Sequence, residues 1–396
     1  MTITPRTSTP NHSLSLTNLD DAMYMRISPY YLCFFKKSLE MDSLKSSLSR
    51  VLVDYYPLAG RLRKSTEDEN KLVIDCNGEG VLFVEASMDI TIEELLTSSM
   101  IPNSSWNKLH NVKVQNLIDI PPLIIQVTNL RCGGMILCAS ISHSLCDGIG
   151  ASQFLNAWSE LTRKPFSKIP ASKIPSPNIH KNLTHFNLES SVTMLFNFGE
   201  NEILCLKKQC ITIPFKHITS FEAIAAHIWR SRVKACKLPS SCIVKLIFPI
   251  DFRKKMKIPK GYYGNGIVLA CAKSTVKDLV VANNLDHCVE LVQQAKANVN
   301  EEYVKSVIAI HKDKTIKLDS SIILRITQWS KLGLIYIDFG EGKPLYVGSL
   351  NMKYWCMFLP VIGDSNAVRV ILSVPENIME MFHHYVTDIK SWREEA

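Results

Sequence analysis

The chain has 396 residues, 46% hydrophobic and 21% charged, which is enough apolar material for a sizeable core and excludes disorder as the dominant state. Its 45 basic and 37 acidic side chains leave a net charge of +8, with no run of five Lys or Arg and no aromatics interleaved among them; nucleic acid is a poor partner for such a surface. No stretch approaches the ~20 apolar residues of a membrane span, MTITPRTSTPNHSLSLT lacks the apolar centre of a secretory signal, and the 12 cysteines show neither C-x-x-C nor zinc spacing. A reduced, cytoplasmic protein of two or three domains, or of one two-lobed unit, is expected.

In chain order, Leu44, Leu48, Val51, Leu52 and Tyr55 recur at helical spacing, with Asp42 as the expected cap and Pro57 as the stop. Two β-like runs, 71–76 and 81–86, flank Asn77-Gly78-Glu79-Gly80 and read as a hairpin. A second pair, 123–129 and 135–142, flanks Arg131-Cys132-Gly133-Gly134. Its second run, MILCASIS, is apolar on both faces and belongs in a sheet interior. Cys138 there, and Cys271 in IVLACA, read as small buried hydrophobes. Residues 164–185 are rich in Pro, Ser and Lys without any period, so 164–200 is expected to link a first lobe, 1–163, to a second, 201–396. The second half restarts with the capping box Thr219-Ser220-Phe221-Glu222 before a helical face of Phe221, Ile224, Ala225, Ile228 and Trp229. Strands are expected over 244–249, 266–272, 334–338, 355–360 and 367–374, with a last helix from about Pro375. The class is therefore α/β, with mixed sheets and flanking helices in two lobes.

Three segments carry candidate chemistry. In the first, MILCASIS runs into His143-Ser144-Leu145-Cys146-Asp147-Gly148, and Gly148 and Gly150 lead into a helix with Phe154, Leu155, Trp158 and Leu161 on one face. Imidazole titrates near neutrality, so His143 at a rigid strand end could take a proton from an attacking hydroxyl, with Asp147 holding the turn through a cation. A core histidine, with Asp147 capping the next helix, fits the pattern as well. The spacing alone decides nothing, because His384 and Asp388 repeat it on a helix with neither strand nor glycine beside it.

The second segment is Asp338-Phe339-Gly340-Glu341-Gly342. It invites a kinase reading, which fails for want of H-R-D and a phosphate loop; a glycine-rich turn with Asp338 satisfied by an arginine is the plainer account. In the third, Arg253 is a candidate partner for a buried carboxylate. Lys254, Lys255, Lys257 and Lys260 either meet phosphates of an anionic cofactor or form a solvated loop. His227 lies among apolar helix positions and reads as packed, and His383 and His384 diverge as helix neighbours do. A metal hydrolase built on His143 and Asp147 lacks a third ligand at suitable spacing.

Together these blocks resemble the BAHD family of plant acyl-CoA-dependent acyltransferases over nearly the whole chain. The anchors are Tyr56-Pro57-Leu58-Ala59-Gly60-Arg61-Leu62, His143 to Gly148, Ser220-Phe221-Glu222-Ala223 through Trp229-Arg230, Tyr263-Gly264-Asn265, and Asp338-Phe339-Gly340. The resemblance implies two chloramphenicol-acetyltransferase-like lobes with a channel between them, acyl-CoA as co-substrate and a small alcohol or amine as acceptor. It implies no metal, nicotinamide or flavin, and a monomer.

His143 would then be the general base, with direct attack on the thioester and no acyl-enzyme. Asp147, Gly148, Asp338, Gly340, Gly342 and Arg253 would be structural, and Ser220, Lys254 and Lys255 candidate contacts to CoA. Two departures stand out. The family's D-F-G-W-G has Glu341 for Trp, and its R-x-R reads Arg253-Lys254-Lys255. The opening 11–21 and the 44–62 block are most similar to the ω-hydroxy-fatty-acid and fatty-alcohol hydroxycinnamoyltransferases. Acetyl or malonyl transfer to an alkaloid or terpenoid alcohol stays open, as does a binding protein that kept the fold and lost turnover.

Overall fold

Two mixed six-stranded sheets and a small three-stranded one form the frame of the computed structural model, which describes residues 1–22, 25–98, 104–110, 117–167, 191–210, 217–281, 285–310, 323–350 and 355–389. The first half contains β1 (Thr2–Ile3), β2 (Ser13–Ser15), β3 (Tyr30–Phe35), α1 (Met41–Asp54), β4 (Arg61–Lys64), β5 (Leu72–Asp75) and β6 (Val81–Met88). It continues with α2 (Ile92–Ser98), β7 (Leu123–Leu130), β8 (Met135–Ile141) and α3 (Gly148–Arg163). The second half begins with β9 (Ser191–Phe198), α4 (Glu200–Lys208), α5 (Ser220–Cys236), β10 (Ile243–Asp251), β11 (Ile267–Thr275), α6 (Val276–Val281), α7 (Asp286–Ala297) and α8 (Glu301–Ile310). Then follow β12 (Ile323–Gln328), β13 (Tyr346–Gly348), β14 (Cys356–Val361), β15 (Asp364–Pro375) and α9 (Met379–Thr387).

The first sheet runs β1-β6-β7-β8-β3-β13 and the second β11-β10-β12-β14-β15-β9. β8 is buried along its whole length between β7 and β3, as its two-faced apolar sequence demands. Its odd-numbered residues, Met135 to Ile141, pack with α1 and α3, whereas Ile136 and Cys138 join Leu32, Phe34 and Trp106 on the outer face. α5 carries the complete capping box, Thr219 and Glu222 bonding reciprocally, and lies buried along the second-lobe core.

The lobes are interwoven, which chain order does not reveal. Leu19, Ala22 and Met25 from the N-terminal segment lie in the second-lobe core, and Asn18 donates to the Ile308 carbonyl at 3.0 Å. In return β13 pairs with β3 in the first sheet, and Tyr263 enters the first-lobe core 4.8 Å from Tyr55. A strict division at 163 and 201 therefore does not hold. The expected linker is also shorter at its end, because β9 already pairs with β15 from Ser191; residues 168–190 lie outside the described residues.

Four local expectations are corrected. The runs 72–75 and 81–88 are not a hairpin: β5 pairs with β4 and β2, β6 with β1 and β7, because Asn77 to Gly80 carries the chain between sheets. Glu40, not Asp42, occupies the N-cap position of α1, and Asp42 stands in the first turn, where a carboxylate still favours the helix N-terminus. Residues 334–336 form a 3-10 turn instead of a strand. Cys271 is exposed, because β11 is an edge strand whose Val268, Ala270 and Ala272 face inward.

His227 is packed as expected. It is buried on α5, and its Nε2 donates to the Val386 carbonyl at 2.9 Å, tying α9 down. Burial lowers its pKa to about 4, with the Val386 bond opposing and the Arg230 charge assisting. A folded-state pKa below the unfolded value near 6.5 makes the unfolded chain the better proton acceptor, so stability falls as pH drops from 6.5 towards 4. The loss attributable to this ring is roughly 3 kcal/mol. Denaturant titrations at pH 7 and pH 4.5 should show it in the wild type and a smaller fall in His227→Gln.

Candidate active site

The segment that follows β8 is built as a turn with one open position. Ser142 N–H donates to the Pro122 carbonyl at 2.7 Å and His143 N–H to the Ile27 carbonyl at 2.8 Å, so the strand is held on both sides to its last residue. The chain then turns, and Asp147 caps α3 by accepting from the Gly150 N–H at 2.9 Å. From Ile141 to Asp147 every residue is buried except His143, which keeps part of its surface.

Against this turn lies the β10–β11 connection of the second lobe. Arg253 Nη2 donates to Asp147 at 2.9 Å and to the Gly264 carbonyl at 2.6 Å, while Gly266 N–H donates to Asp147 Oδ2 at 2.9 Å. Asp147 thus caps the helix and pairs with a cation at once, its oxygens are consumed by these partners, and it makes no bond to the imidazole. The approach is close: a Cβ on Gly150 would stand 1.8 Å from the Tyr263 carbonyl oxygen, so only glycine admits the loop. Gly148 opens α3 beside Leu332, whose Cδ1 a Cβ there would meet at 2.8 Å.

Asn265 engages the ring of His143. Its Nδ1 lies 3.1 Å from Asn265 Oδ1, and Asn265 Nδ2 donates to Asp20 Oδ1 at 2.8 Å and to the His143 carbonyl at 2.7 Å. Burial is the largest influence on the ring and lowers its pKa below 6.5; the Asp147 charge, a bond to its own backbone and the Asn265 bond act the other way and do not cancel it. The imidazole is therefore neutral at pH 7. Burial likewise pushes the Asp20 carboxyl upward against the bonds from Thr17 and Asn265, and raises Asp21 to about 6 against the Arg26 charge.

A model of the Transferase family matches residues 1–184 and 177–389. The chain belongs to this family, the BAHD acyltransferases. It is 33% identical to a fatty alcohol:caffeoyl-CoA acyltransferase of Arabidopsis thaliana, over 96% of this chain and 95% of that one. It is also 33% identical to an omega-hydroxypalmitate O-feruloyl transferase of the same plant, over 98% and 91%. In fold it is similar to vinorine synthase, with a TM-score of 0.78 at 21% identity over 98% and 97% of the two chains. It is similar also to F. sporotrichioides TRI101 complexed with coenzyme A and T-2, with a TM-score of 0.80 at 17% identity over 97% and 99%. The chain is an acyl-CoA-dependent acyltransferase with two chloramphenicol-acetyltransferase-like lobes.

The remaining BAHD motif positions lie apart from His143 in role. Asp338 Oδ1 accepts from the Gly340 and Gly342 N–H groups at 2.8 and 3.1 Å, and its other oxygen lies 3.6 Å from Arg163 of α3. The arginine for Asp338 is thus Arg163, and Arg253 serves Asp147. Gly340 has φ +118°, where a side chain would be strained. Phe339 packs edge-on against Trp158 at 5.0 Å and Phe35 at 5.7 Å, holding the turn to the first lobe.

Glu341, in place of the BAHD tryptophan, is exposed and pairs with Lys37 at 2.9 Å, away from the His143 turn. Glu341→Gln is expected to leave both melting temperature and turnover at wild-type values, because exposed pairs contribute little. Ser220 is the first residue of α5 and half-buried. Lys254 is exposed, and Lys255 donates its ammonium to the Val299 carbonyl, a backbone partner that occupies one of the two lysines expected to reach CoA.

Asn265 and Asp20 are the site neighbours that received no role from sequence. Asn265 stood inside a motif block between two glycines, which marks close backbone approach. Nothing local connects it to an aspartate 245 positions earlier.

Proposed function

We propose that this acyltransferase moves a hydroxycinnamoyl group from its CoA thioester to a long-chain alcohol, with His143 as general base. The observation that carries the reading is the half-buried neutral imidazole at the lobe junction, with Nδ1 occupied by Asn265 and Nε2 available. Nε2 takes the proton of the acceptor hydroxyl as its oxygen bonds to the thioester carbonyl carbon, whose π electrons move onto oxygen. Collapse of that tetrahedral intermediate re-forms the carbonyl and breaks the C–S bond, and the imidazolium returns the proton to the departing sulfur. An ester and free CoA result, without an acyl-enzyme or a change of oxidation state.

Asp147, Arg253, Gly148 and Gly150 keep the two sides of the turn together, and Asp338 with Gly340 and Gly342 keeps the second turn. Ser220 and Lys254 stand as contacts to CoA, which enters a channel between the lobes from one face as the acceptor enters from the other. The donor is drawn from the two relatives named for caffeoyl-CoA and feruloyl transfer. The chain acts as a monomer in the cytoplasm; no helix among the described residues is long and apolar enough to cross a membrane.

Purified protein offered feruloyl-, caffeoyl-, acetyl- and malonyl-CoA against a panel of alcohols and amines should release thiol only when donor and acceptor are both present, fastest with a hydroxycinnamoyl donor and a long-chain alcohol. Preference for acetyl or malonyl donors would overturn the substrate assignment. Absence of thiol release across the panel would favour a binding role.

A further inference from the structure

We infer that Asp20 acts through Asn265 to hold His143 in the tautomer with its proton on Nδ1, so that Nε2 is kept as the proton acceptor. Both are positioning residues, and their effect on turnover rests on the acyl-transfer reading above. A carboxamide has one accepting and one donating end. One end of Asn265 faces the imidazole at 3.1 Å; the other faces Asp20 Oδ1 at 2.8 Å and the His143 carbonyl at 2.7 Å. A backbone carbonyl accepts only, so the donating end is forced towards it, with Asp20 Oδ1 taking the second amide hydrogen, and the oxygen is turned towards the ring. A flipped amide would set its oxygen against two others at those distances. The only ring atom that satisfies Asn265 Oδ1 is then an Nδ1 that carries hydrogen.

Asp20 is itself fixed. Its Oδ2 accepts from Thr17 N–H at 3.1 Å, and its own N–H donates to Thr17 Oγ1 at 3.0 Å. Leu19 and Ala22 beside it are anchored in the second-lobe core. The base on the first sheet is therefore oriented by a loop of the second lobe, and that loop by the crossing N-terminal segment.

The amide matters chemically. A carboxylate touching the imidazole, as in Ser-His-Asp sites, orients the ring but also raises its proton affinity. Here the carboxyl stands one residue back, and the group that touches the ring is a neutral amide. Orientation is supplied without placing a carboxylate in contact with a ring that must be neutral to accept a proton.

The test is 15N NMR of protein labelled at histidine, with His143 assigned by difference from His143→Gln and no substrate present. Wild type should show His143 protonated on Nδ1. In Asp20→Asn, the Thr17 N–H claims the new amide oxygen and leaves an NH2 facing the donating end of Asn265, so the His143 carbonyl alone holds the amide and the Nδ1–H population should fall. The kcat should fall about tenfold or more, with KM for both substrates little changed. Asn265→Ala, which removes the amide and leaves Asp20 in place, provides a second reading if Asp20→Asn does not fold, and it should also reduce the Nδ1–H population. An Nε2–H ring in the wild type would overturn the inference, as would unchanged tautomers in the folded variants. A wild type that shows the Nδ1–H ring but transfers no acyl group would sink the functional reading alone.

Discussion

His143→Ala is expected to lower kcat by roughly 10²- to 10⁴-fold, the usual worth of a positioned general base, while KM for donor and acceptor stays near wild type. The ring contributes little to folding: it keeps surface of its own, and the one other side chain it bonds among the described residues is the Asn265 amide. A matching melting curve with lost turnover is therefore the signature, and a variant that retains activity within tenfold removes His143 from the chemistry. The pH dependence follows from the same environment. A base whose pKa is pushed below 6.5 by burial stays unprotonated to lower pH than a free histidine, so kcat/KM should be level at neutral pH and fall on the acid side with a midpoint below that value. An acid limb centred above 6.5 would show that the ring is more solvated, or closer to Asp147, than its position implies.

The second large effect concerns stability. Arg253→Met should destabilise the protein by about 3–5 kcal/mol, because Asp147 is fully buried and would be left with only the Gly150 and Gly266 N–H groups to face it. Much of that cost belongs to the stranded carboxylate, not to the lost attraction. Adding Asp147→Asn to Arg253→Met should therefore recover a good part of it, whereas Asp147→Asn alone, which leaves Arg253 with Asp251 and the Gly264 carbonyl, should cost less than the arginine change. Denaturant midpoints for the three variants check the ordering. Equal losses in Arg253→Met and in the double variant would mean that the pair is not the joint between the lobes. Arg253→Lys should fall between, since an ammonium cannot reach Asp147, Asp251 and the Gly264 carbonyl from one fork.

The two tests separate the layers of the site. In the proposed reading His143 has chemistry to do and little structure to hold, and Arg253 is the reverse. Asp20 and Asn265 stand between them, affecting the reaction through a ring they orient.

What the sequence determined by itself is what is written in neighbouring residues. The doubly apolar run 135–142 requires a sheet interior, and the Thr219–Glu222 pair requires a helix start; both are satisfied within a few positions of chain. His143 could be told from His384, at identical spacing, by the strand before it and the glycines after it, and the ordered motif blocks carried the family.

Only the tertiary structure could decide which distant groups meet. Asn77 to Gly80 has the composition of a hairpin turn yet joins two different sheets, because a glycine turn specifies a change of direction and not a strand's partner. The sorting of Arg253 to Asp147 and Arg163 to Asp338 depends on how the lobes dock, and either arginine satisfies a carboxylate equally well on paper. The contact of Asp20 with Asn265 exists because an N-terminal segment buries Leu19, Ala22 and Met25 in the opposite lobe. Burial of apolar surface is non-directional and leaves no local spacing to read, whereas the hydrogen bonds it brings within reach have strict geometry.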